Sequence, residues 1–570
     1  MPDPASGRHW TAEMPNKRNE CLPHGRKTVR VISASEAACL VHDGDTVLIG
    51  GSGGGHAVPE ALMSALGKRF RETGHPRQIT SLHPVGLGDR ASRGAGHFAQ
   101  EGMLKRIVCG TFVDSPPISD MAAADTIEAY TLPQGALSQL MRDMAAGRPG
   151  LFTKTGLHTL VDPRHGGGKQ TKRTIEDLVE LVTLKGEEWL FFKPFNVDVA
   201  FLRGTTADED GNVTMEQEAI FGEMLSMAQA TRRAGGIVIV QVKRLANRGT
   251  LPGKQVKIPG MLVDFVVVDP AQRQTYLTDY SPSYAGELRE PLSTFEPLPL
   301  DPRKIVARRG AMELFPGAVC NLGSGISTGI GTVGAEENIL DQIVLTNEQG
   351  LIGGAPAIGY EAGAARNFWA MIDQPYQFDF YDGGGLDLAF LSFAQVDGRG
   401  NVNISRFDGR IVGIGGFVNI SQNARKVVFG GTFTAGGLQM SWPGGRTQIE
   451  REGKHRKFLS EIEQLSYSGD YGWERGQEVL YVTERAVFRR VEKGLELFEI
   501  APGVDLERDI LAHMGFRPHI SDNCREMDAR LFRPEPMGLA RDLATKPRQF
   551  RSRRVAAWHR EREAHRAAAE

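Results

Sequence analysis

One segment occurs twice in this chain. VDVAFLRGTTADEDGNVTMEQEA begins at Val197, and LDLAFLSFAQVDGRGNVNISRFDG begins at Leu386. Each copy runs from an apolar strand into a D-x-x-GNV turn and then a short strand. Asp-Gly and Gly-Asn turns are common hairpin chemistry, but a correspondence over about 20 residues is hard to ascribe to that alone. Two further stretches can be laid on each other. PGAVCNLGSGISTGIGTVG (316–334) falls on DTVLIGGSGGGHAVPEALM (45–63), and DQIVLTNEQGLIGG (341–354) falls on RQITSLHPVGLGDR (77–90). A chain of 570 residues exceeds what one core usually carries. The expected fold is therefore α/β, with two related, mostly parallel domains from an internal duplication.

The boundaries follow from composition. Residues 1–27 are polar and read as a flexible extension without the apolar stretch of a secretion signal. The first domain is expected over 28–290. The stretch 291–303 reads as a linker, because prolines 282, 291, 297, 299 and 302 crowd the join. The second domain is expected over 304–540, with turn signals and one short helical stretch between Ala501 and Leu539. Residues 541–570 form a basic tail, with nine basic residues and three acids in 541–566, open to three readings: solvated or frayed, a weak anion or RNA binder, or a helix packed on a partner chain. In the first domain VRVIS, residues 46–50, QITSLHP and RIVCGTF read as strands. A helix is expected from Val58 to Phe70, with Val58, Leu62, Ala65 and Leu66 on one face and Pro59 in its first turn.

Charge excludes some classes. The 67 Lys and Arg nearly cancel the 69 Asp and Glu, so a whole-chain nucleic-acid binder is not expected. No run of 18 apolar residues predicts a membrane span. Five cysteines without a CxxC pair support neither a structural zinc site nor a redox pair, and suit a reducing cytoplasm. His158 and His165 lie seven apart without a carboxylate partner, so no metal site is expected. No Walker, GxSxG or HExxH sequence occurs. Glycine is abundant, 68 of 570 residues or about 12% against a typical ~7%.

Those glycines mark candidate sites. In VLTNEQGLIGG an apolar strand runs into Glu348, where parallel sheets place their ligand crevice. Gly350, Gly353 and Gly354 there allow close approach of a large ligand. Pro84 holds the equivalent place in the first domain. Glu348 is open to two readings, an ordinary turn glutamate or a reactive one. The GGSGGGH loop, with Gly51, Gly53 and Gly54, leads into a helix and can cradle an anion or acyl group, or be a plain tight turn. LPQG puts Gln134 in a turn, where its amide can donate to an oxyanion or face solvent. GIGGF (413–417) is another close-approach loop. GKHRKF (453–458) reads as solvated surface, or as cations meeting phosphates of a large ligand.

LPQG (132–135), VDPR (161–164), GTTADEDGNVT (204–214), ARRGAMEL (307–314) and TNEQGLIGG (346–354) together resemble the family I coenzyme A transferases, in the fused single-chain acetate/propionate/3-ketoacid branch. The resemblance covers about residues 28–540 and implies two open α/β domains with the active site at their interface. It implies that Glu348 attacks an acyl-CoA and becomes a glutamyl–CoA thioester. It also implies that Gln134 and a backbone N–H of Gly416 stabilise the oxyanion, and that Asn347, Gly415 and the glycines named above contact coenzyme A. No permanently bound cofactor is implied. Acyl-CoA and short-chain carboxylic acids are the expected partners, without nucleic acid or membrane, and a homodimer or homotetramer is the expected assembly. An acyl-CoA hydrolase on the same scaffold, or a non-catalytic acyl-CoA-binding protein, remain alternatives. Two positions depart from the family pattern: Ser327 and Thr328 replace a Pro-Glu-like pair, and His158 stands where Gly is frequent.

Overall fold

The computed structural model describes residues 28–291, 296–549 and 551–569, with backbone alone for 563, 564 and 566–569. The expected 1–27 extension lies outside the described residues. The first half builds an eight-stranded, all-parallel sheet. Its strands are β1 (Arg30–Val31), β2 (Thr46–Ile49), β3 (Ile79–Leu82), β4 (Leu104–Cys109), β5 (Glu128–Thr131), β6 (Val199–Arg203), β7 (Ile237–Val242) and β8 (Phe265–Val268). The order across the sheet is β1-β8-β7-β6-β2-β3-β4-β5. β6 is buried at all five positions, as a strand covered on both faces must be.

The second half contributes β9 (Val319–Leu322), β10 (Val344–Thr346), β11 (Leu388–Ser392), β12 (Lys426–Gly430) and β13 (Glu478–Val482). These five are parallel in the order β10-β9-β11-β12-β13. That order matches β3-β2-β6-β7-β8 of the first sheet, strand for strand in chain sequence. The sheet continues through β14 (Ala486–Val491), β15 (Gly494–Ile500) and β16 (His519–Glu526). β16 was not expected: it is polar and largely exposed, and it pairs only along an edge, so no apolar run announces it.

The repeated turns correspond atom by atom. Asp208 Oδ1 accepts from the N–H groups of Asp210 and Asn212, and Oδ2 accepts from the Asn212 amide. Asp397 makes the same three bonds with Arg399 and Asn401. Gly211 and Gly400, at φ 84° and 80°, hold the left-handed position each turn needs. Each turn joins a short antiparallel hairpin.

Helix α1 spans Glu60–Thr73, shifted from the expected Val58–Phe70. Pro59 caps its start, and Gly74 ends it at φ 72°. Helix α2 is Gln134–Ala145, α3 Pro302–Ala311, α4 Gln374–Asp382 and α5 Phe417–Asn423. α3 carries Arg308, whose guanidinium is fully buried and donates to the carbonyls of Leu531, Arg533 and Glu535. Nearby, Glu337 accepts from the N–H groups of Met537, Gly538 and Leu539. The basic tail is better anchored than its composition suggests. Lys546 donates to the carbonyls of Met312 and Leu314 at 2.6 and 2.7 Å, and Arg551 pairs with Asp387 at 3.0 Å. Residues Arg553–Ala569 are helical.

The halves meet along a shared backbone. The second-half segment 411–416 lies over the tips of β4 and β5. Phe112 N–H donates to Val412 O at 2.7 Å, and the N–H groups of Ile414 and Gly415 both donate to Gly110 O at 2.8 and 2.7 Å. A Cβ at Gly413 would sit 2.7 Å from Gly110 O, so this approach requires glycine. Arg142 on α2 forks onto Asp379 of α4 through two 2.6 Å bonds. No helix among the described residues is long and apolar enough to cross a membrane.

Candidate active site

Glu348 sits in a tight turn directly after β10. Gly350 N–H donates to Asn347 O, and Asn347 Oδ1 accepts from Leu351 N–H. Gly350 has φ 99°, and a Cβ there would strike Ile372 O. The turn therefore fixes Glu348 at the strand tip with little freedom. The carboxylate is half-buried in a cavity of about 540 Å³ between the halves. Gln349 Nε2 donates to it at a weak 3.5 Å. Burial pushes its carboxyl above the usual carboxylate range, while hydrogen bonding from its own backbone, Gln349 and Asn321 pulls the other way.

Gln134 lines the same cavity. It is the first residue of helix α2 and is nearly fully buried, not in a surface turn as the sequence suggests. Its backbone N–H donates to Gly415 O at 2.9 Å, which ties it to the second half. Its side-chain Nε2 finds no protein acceptor among the described residues. A buried, unpaired donor at a cavity wall is costly unless a ligand accepts from it. Gly415 and Gly416 connect the two side chains. A Cβ on Gly415 would lie 3.7 Å from Gln134 Oε1, and one on Gly416 would lie 3.6 Å from Glu348 Cβ.

The expected glycines divide into two groups. Gly53, Gly54, Gly415 and Gly416, with Asn347, line the cavity. Gly51, Gly350, Gly353 and Gly354 do not. A Cβ on Gly51 would press on Ala57 and Val58 at 2.9 Å, on Gly353 against the Trp369 ring, and on Gly354 into Arg366 O. These four serve close packing of the loops behind the wall, which a periodicity of glycines alone cannot distinguish from ligand approach. Asn347 donates to Gly363 O at 3.0 Å.

Other expected residues are displaced from the chemistry. His158 stacks on Tyr471 at 4.5 Å, and its φ of 58° explains a preference for glycine at that position. Thr328 lines the cavity, while Ser327 is buried away from it. In GKHRKF, Lys457 and Phe458 turn inward rather than into solvent. Lys457 Nζ lies 4.1 Å from the Phe393 ring, and burial pushes its ammonium down to about 8.

Sequence reasoning did not single out Asn321, Tyr381, Arg90 or Asp114. Asn321 is fully buried on β9 beside β10. Its amide donates to the Tyr381 hydroxyl at 3.2 Å, and that hydroxyl donates to Thr346 at 2.8 Å. This network supports the strand tip from beneath. An Asn in an apolar strand was the available signal. No group of three or more His, Cys, Asp or Glu placed to hold a metal ion occurs among the described residues.

Comparison with known proteins places this arrangement. The coenzyme A transferase family model matches residues 31–269. The acetate CoA-transferase YdiF of Escherichia coli O157:H7 is 46% identical over 511 residues, covering 90% of this chain and 96% of the relative. The caffeate CoA-transferase of Acetobacterium woodii is 45% identical over 518 residues, covering 90% and 98%. The crystal structure of the YdiF acyl-CoA transferase apoenzyme from Escherichia coli O157:H7 superimposes with a TM-score of 0.86 at 45% identity, covering 90% and 97%, and its thioester complex with CoA does so equally. The chain thus belongs to the coenzyme A transferase enzyme family, in its fused single-chain acetate/caffeate branch.

Proposed function

We propose that this chain transfers coenzyme A between a short-chain acyl-CoA and a free carboxylic acid, in ping-pong order through a glutamyl–CoA thioester at Glu348. The observation that carries the reading is one cavity holding a desolvated carboxylate at a strand tip and an unpaired amide donor. A thioester complex with CoA known for the YdiF relative supports a thioester intermediate here.

The chemistry balances without a metal or redox step. A Glu348 carboxylate oxygen adds to the thioester carbonyl, and the C–S bond breaks to release CoA thiolate. The acyl group is then held on Glu348 as a mixed anhydride. The thiolate adds to the glutamyl carbonyl carbon, and the anhydride C–O bond breaks to release the donor acid as carboxylate. Glu348 is left as the CoA thioester, and an acceptor carboxylate reverses the path. Each addition places negative charge on a carbonyl oxygen. Gln134 Nε2, with the Gly416 backbone, is the donor set for it. A carboxylate is a feeble nucleophile in water. Partial desolvation and a fixed turn raise its reactivity by positioning it. The anhydride also needs shelter from solvent, which a cleft between two packed halves supplies.

The relatives' names span acetate and an aromatic acid at nearly equal identity. Our reading favours short acids of the acetate, propionate or 3-ketoacid type. The test is intact-mass analysis with acetyl-CoA alone, together with exchange into acetate, propionate, acetoacetate and caffeate. A CoA-sized adduct and exchange without net CoA release are expected. Steady CoA release without exchange would make the protein a hydrolase, and tight binding without either would make it a binding protein.

A further inference from the structure

Among the described residues, and besides the Tyr360 phenol, three side chains lining the cavity are ionisable: Glu348, Asp114 and Arg90. Arg90 is the single cation among them. It lies in the loop after β3, the strand whose place in the first sheet β10 takes in the second. One half thus brings a carboxylate to the cavity and the other brings a guanidinium, each from the loop beyond the equivalent strand.

Arg90 is held on two sides. Its backbone N–H donates to Asp114 O at 2.8 Å, and its Nε lies 3.8 Å from Asp114 Oδ1. The guanidinium carbon is 4.6 Å from the centre of the Tyr360 ring, which comes from the second half. The Asp114 carboxylate is pressed between Gly53 and Gly86, where any Cβ would crowd it. Asp114 is thus closely packed where it stands. At 3.8 Å the ion pair is longer than a hydrogen bond, so the guanidinium keeps donors for another acceptor.

Position selects the acceptor. The Arg90 side chain is 43% exposed and Tyr360 is 52% exposed, so both stand at the rim. Gln134, at 1% exposed, marks the deep end. A short acid reacting at Glu348 has no atoms left to reach the rim. The phosphates of coenzyme A, many bonds from its sulfur, do. We propose that Arg90, braced by Asp114 and stacked on Tyr360, binds a phosphate of the coenzyme A moiety and so positions the thioester at Glu348. This rests on the CoA-transfer reading above.

The test compares R90Q and R90K with the unchanged enzyme. Affinities for CoA, dephospho-CoA and pantetheine are measured by calorimetry, and exchange is measured with acetyl-CoA or S-acetylpantetheine against propionate. R90Q is expected to weaken CoA binding and kcat/KM for acetyl-CoA by about 10- to 100-fold. Pantetheine binding and KM for propionate should not move, and R90K should retain most of the CoA affinity. Dephospho-CoA tells the 3′-phosphate from the pyrophosphate: a wild-type affinity equal to that of R90Q assigns the former. Unchanged CoA affinity in R90Q would overturn the proposal, as would a loss confined to propionate or a loss equal on pantetheine. Absence of exchange in the unchanged enzyme, with CoA binding still dependent on Arg90, would instead sink the transferase reading alone.

Discussion

The loops after β3 and β10 occupy the same place in two sheets of the same strand order, and they do opposite things. After β10 the chain gives Asn347, Glu348 and Gln349, and the Glu348 carboxylate takes a weak 3.5 Å bond from Gln349 Nε2, with Asn321 the other side chain acting on it. After β3 it gives His83, Pro84 and Val85. The His83 ring is fully buried, kept neutral by burial that lowers it to about 4, and hydrogen-bonded to Val85 O. Pro84 O accepts from Gly110 N–H at 3.1 Å, and Gly110 O in turn holds the second-half segment. One tip is fastened and becomes a foundation. The other turns a weakly bonded carboxylate to the cavity and is the one proposed to react. On that proposal, a change of a few residues at a strand end divides support from chemistry on one scaffold.

Breaking the reactive tip has the largest expected effect. Glu348→Ala should drop exchange to background, a loss on the order of 10⁴-fold or more, and remove the CoA adduct seen by intact mass. Pro84→Glu should not rescue it, since position 84, unlike Glu348, does not line the cavity. Gln134→Ala comes next, with kcat/KM down by ~10²–10³ and the protein still folded by circular dichroism. A rate near that of the unchanged enzyme would remove Gln134 from the oxyanion role.

The pH profile sharpens the same contrast. In the proposed mechanism Glu348 attacks only as carboxylate, and burial raises its pKa above the usual range. Activity should therefore fall with acidification through a limb lying above the ordinary ~4.3 of glutamate. The acyl-CoA half-reaction, followed by donor-acid release or by growth of the CoA adduct in a single turnover, reads that limb.

The smallest effect concerns the seam between the halves. Glu223 is fully buried there, bonded to Ser138 and to Gln374 of the second half, with Asp373 raising its pKa further and Lys257 pairing with Asp373. Burial pushes its carboxyl up to about 7. Between roughly pH 4.5 and 7 the folded state then holds a proton that the unfolded state releases. Its contribution is therefore intact at low pH and lost as pH rises through that window. Glu223→Gln should match the unchanged protein near pH 5 and exceed it near pH 8 by on the order of 1 kcal/mol, a Tm shift of ~1–3 °C. An identical slope of Tm with pH in both proteins would refute this.

Much of this was legible beforehand because the informative signals are local. Apolar runs gave the central strands, and the two D-x-x-GNV turns carry their own hydrogen bonds within five residues. Glu348 stood out as a carboxylate between a strand and glycines. What the sequence hid depends on neighbours distant in the chain. Asn321 matters because β9 lies beside β10. Gly110 matters because residues 411–416 cross it. Arg90 gains its ring from Tyr360, 270 positions away. Glycine spacing equally failed to separate Gly54, which lines the cavity, from Gly353, which makes room for Trp369.

The clasp formed by Arg308 and Glu337 sets a lower bound on how far this polypeptide can be shortened. Both ionised groups are buried, and the atoms that satisfy them are main-chain atoms of residues 531–539. Removing the final helix would leave them served. Ending the chain before Leu531 would strand a cation and an anion in apolar surroundings, a penalty of several kcal/mol. A stretch far from the chemistry thus acts as the keystone of the half that bears Glu348.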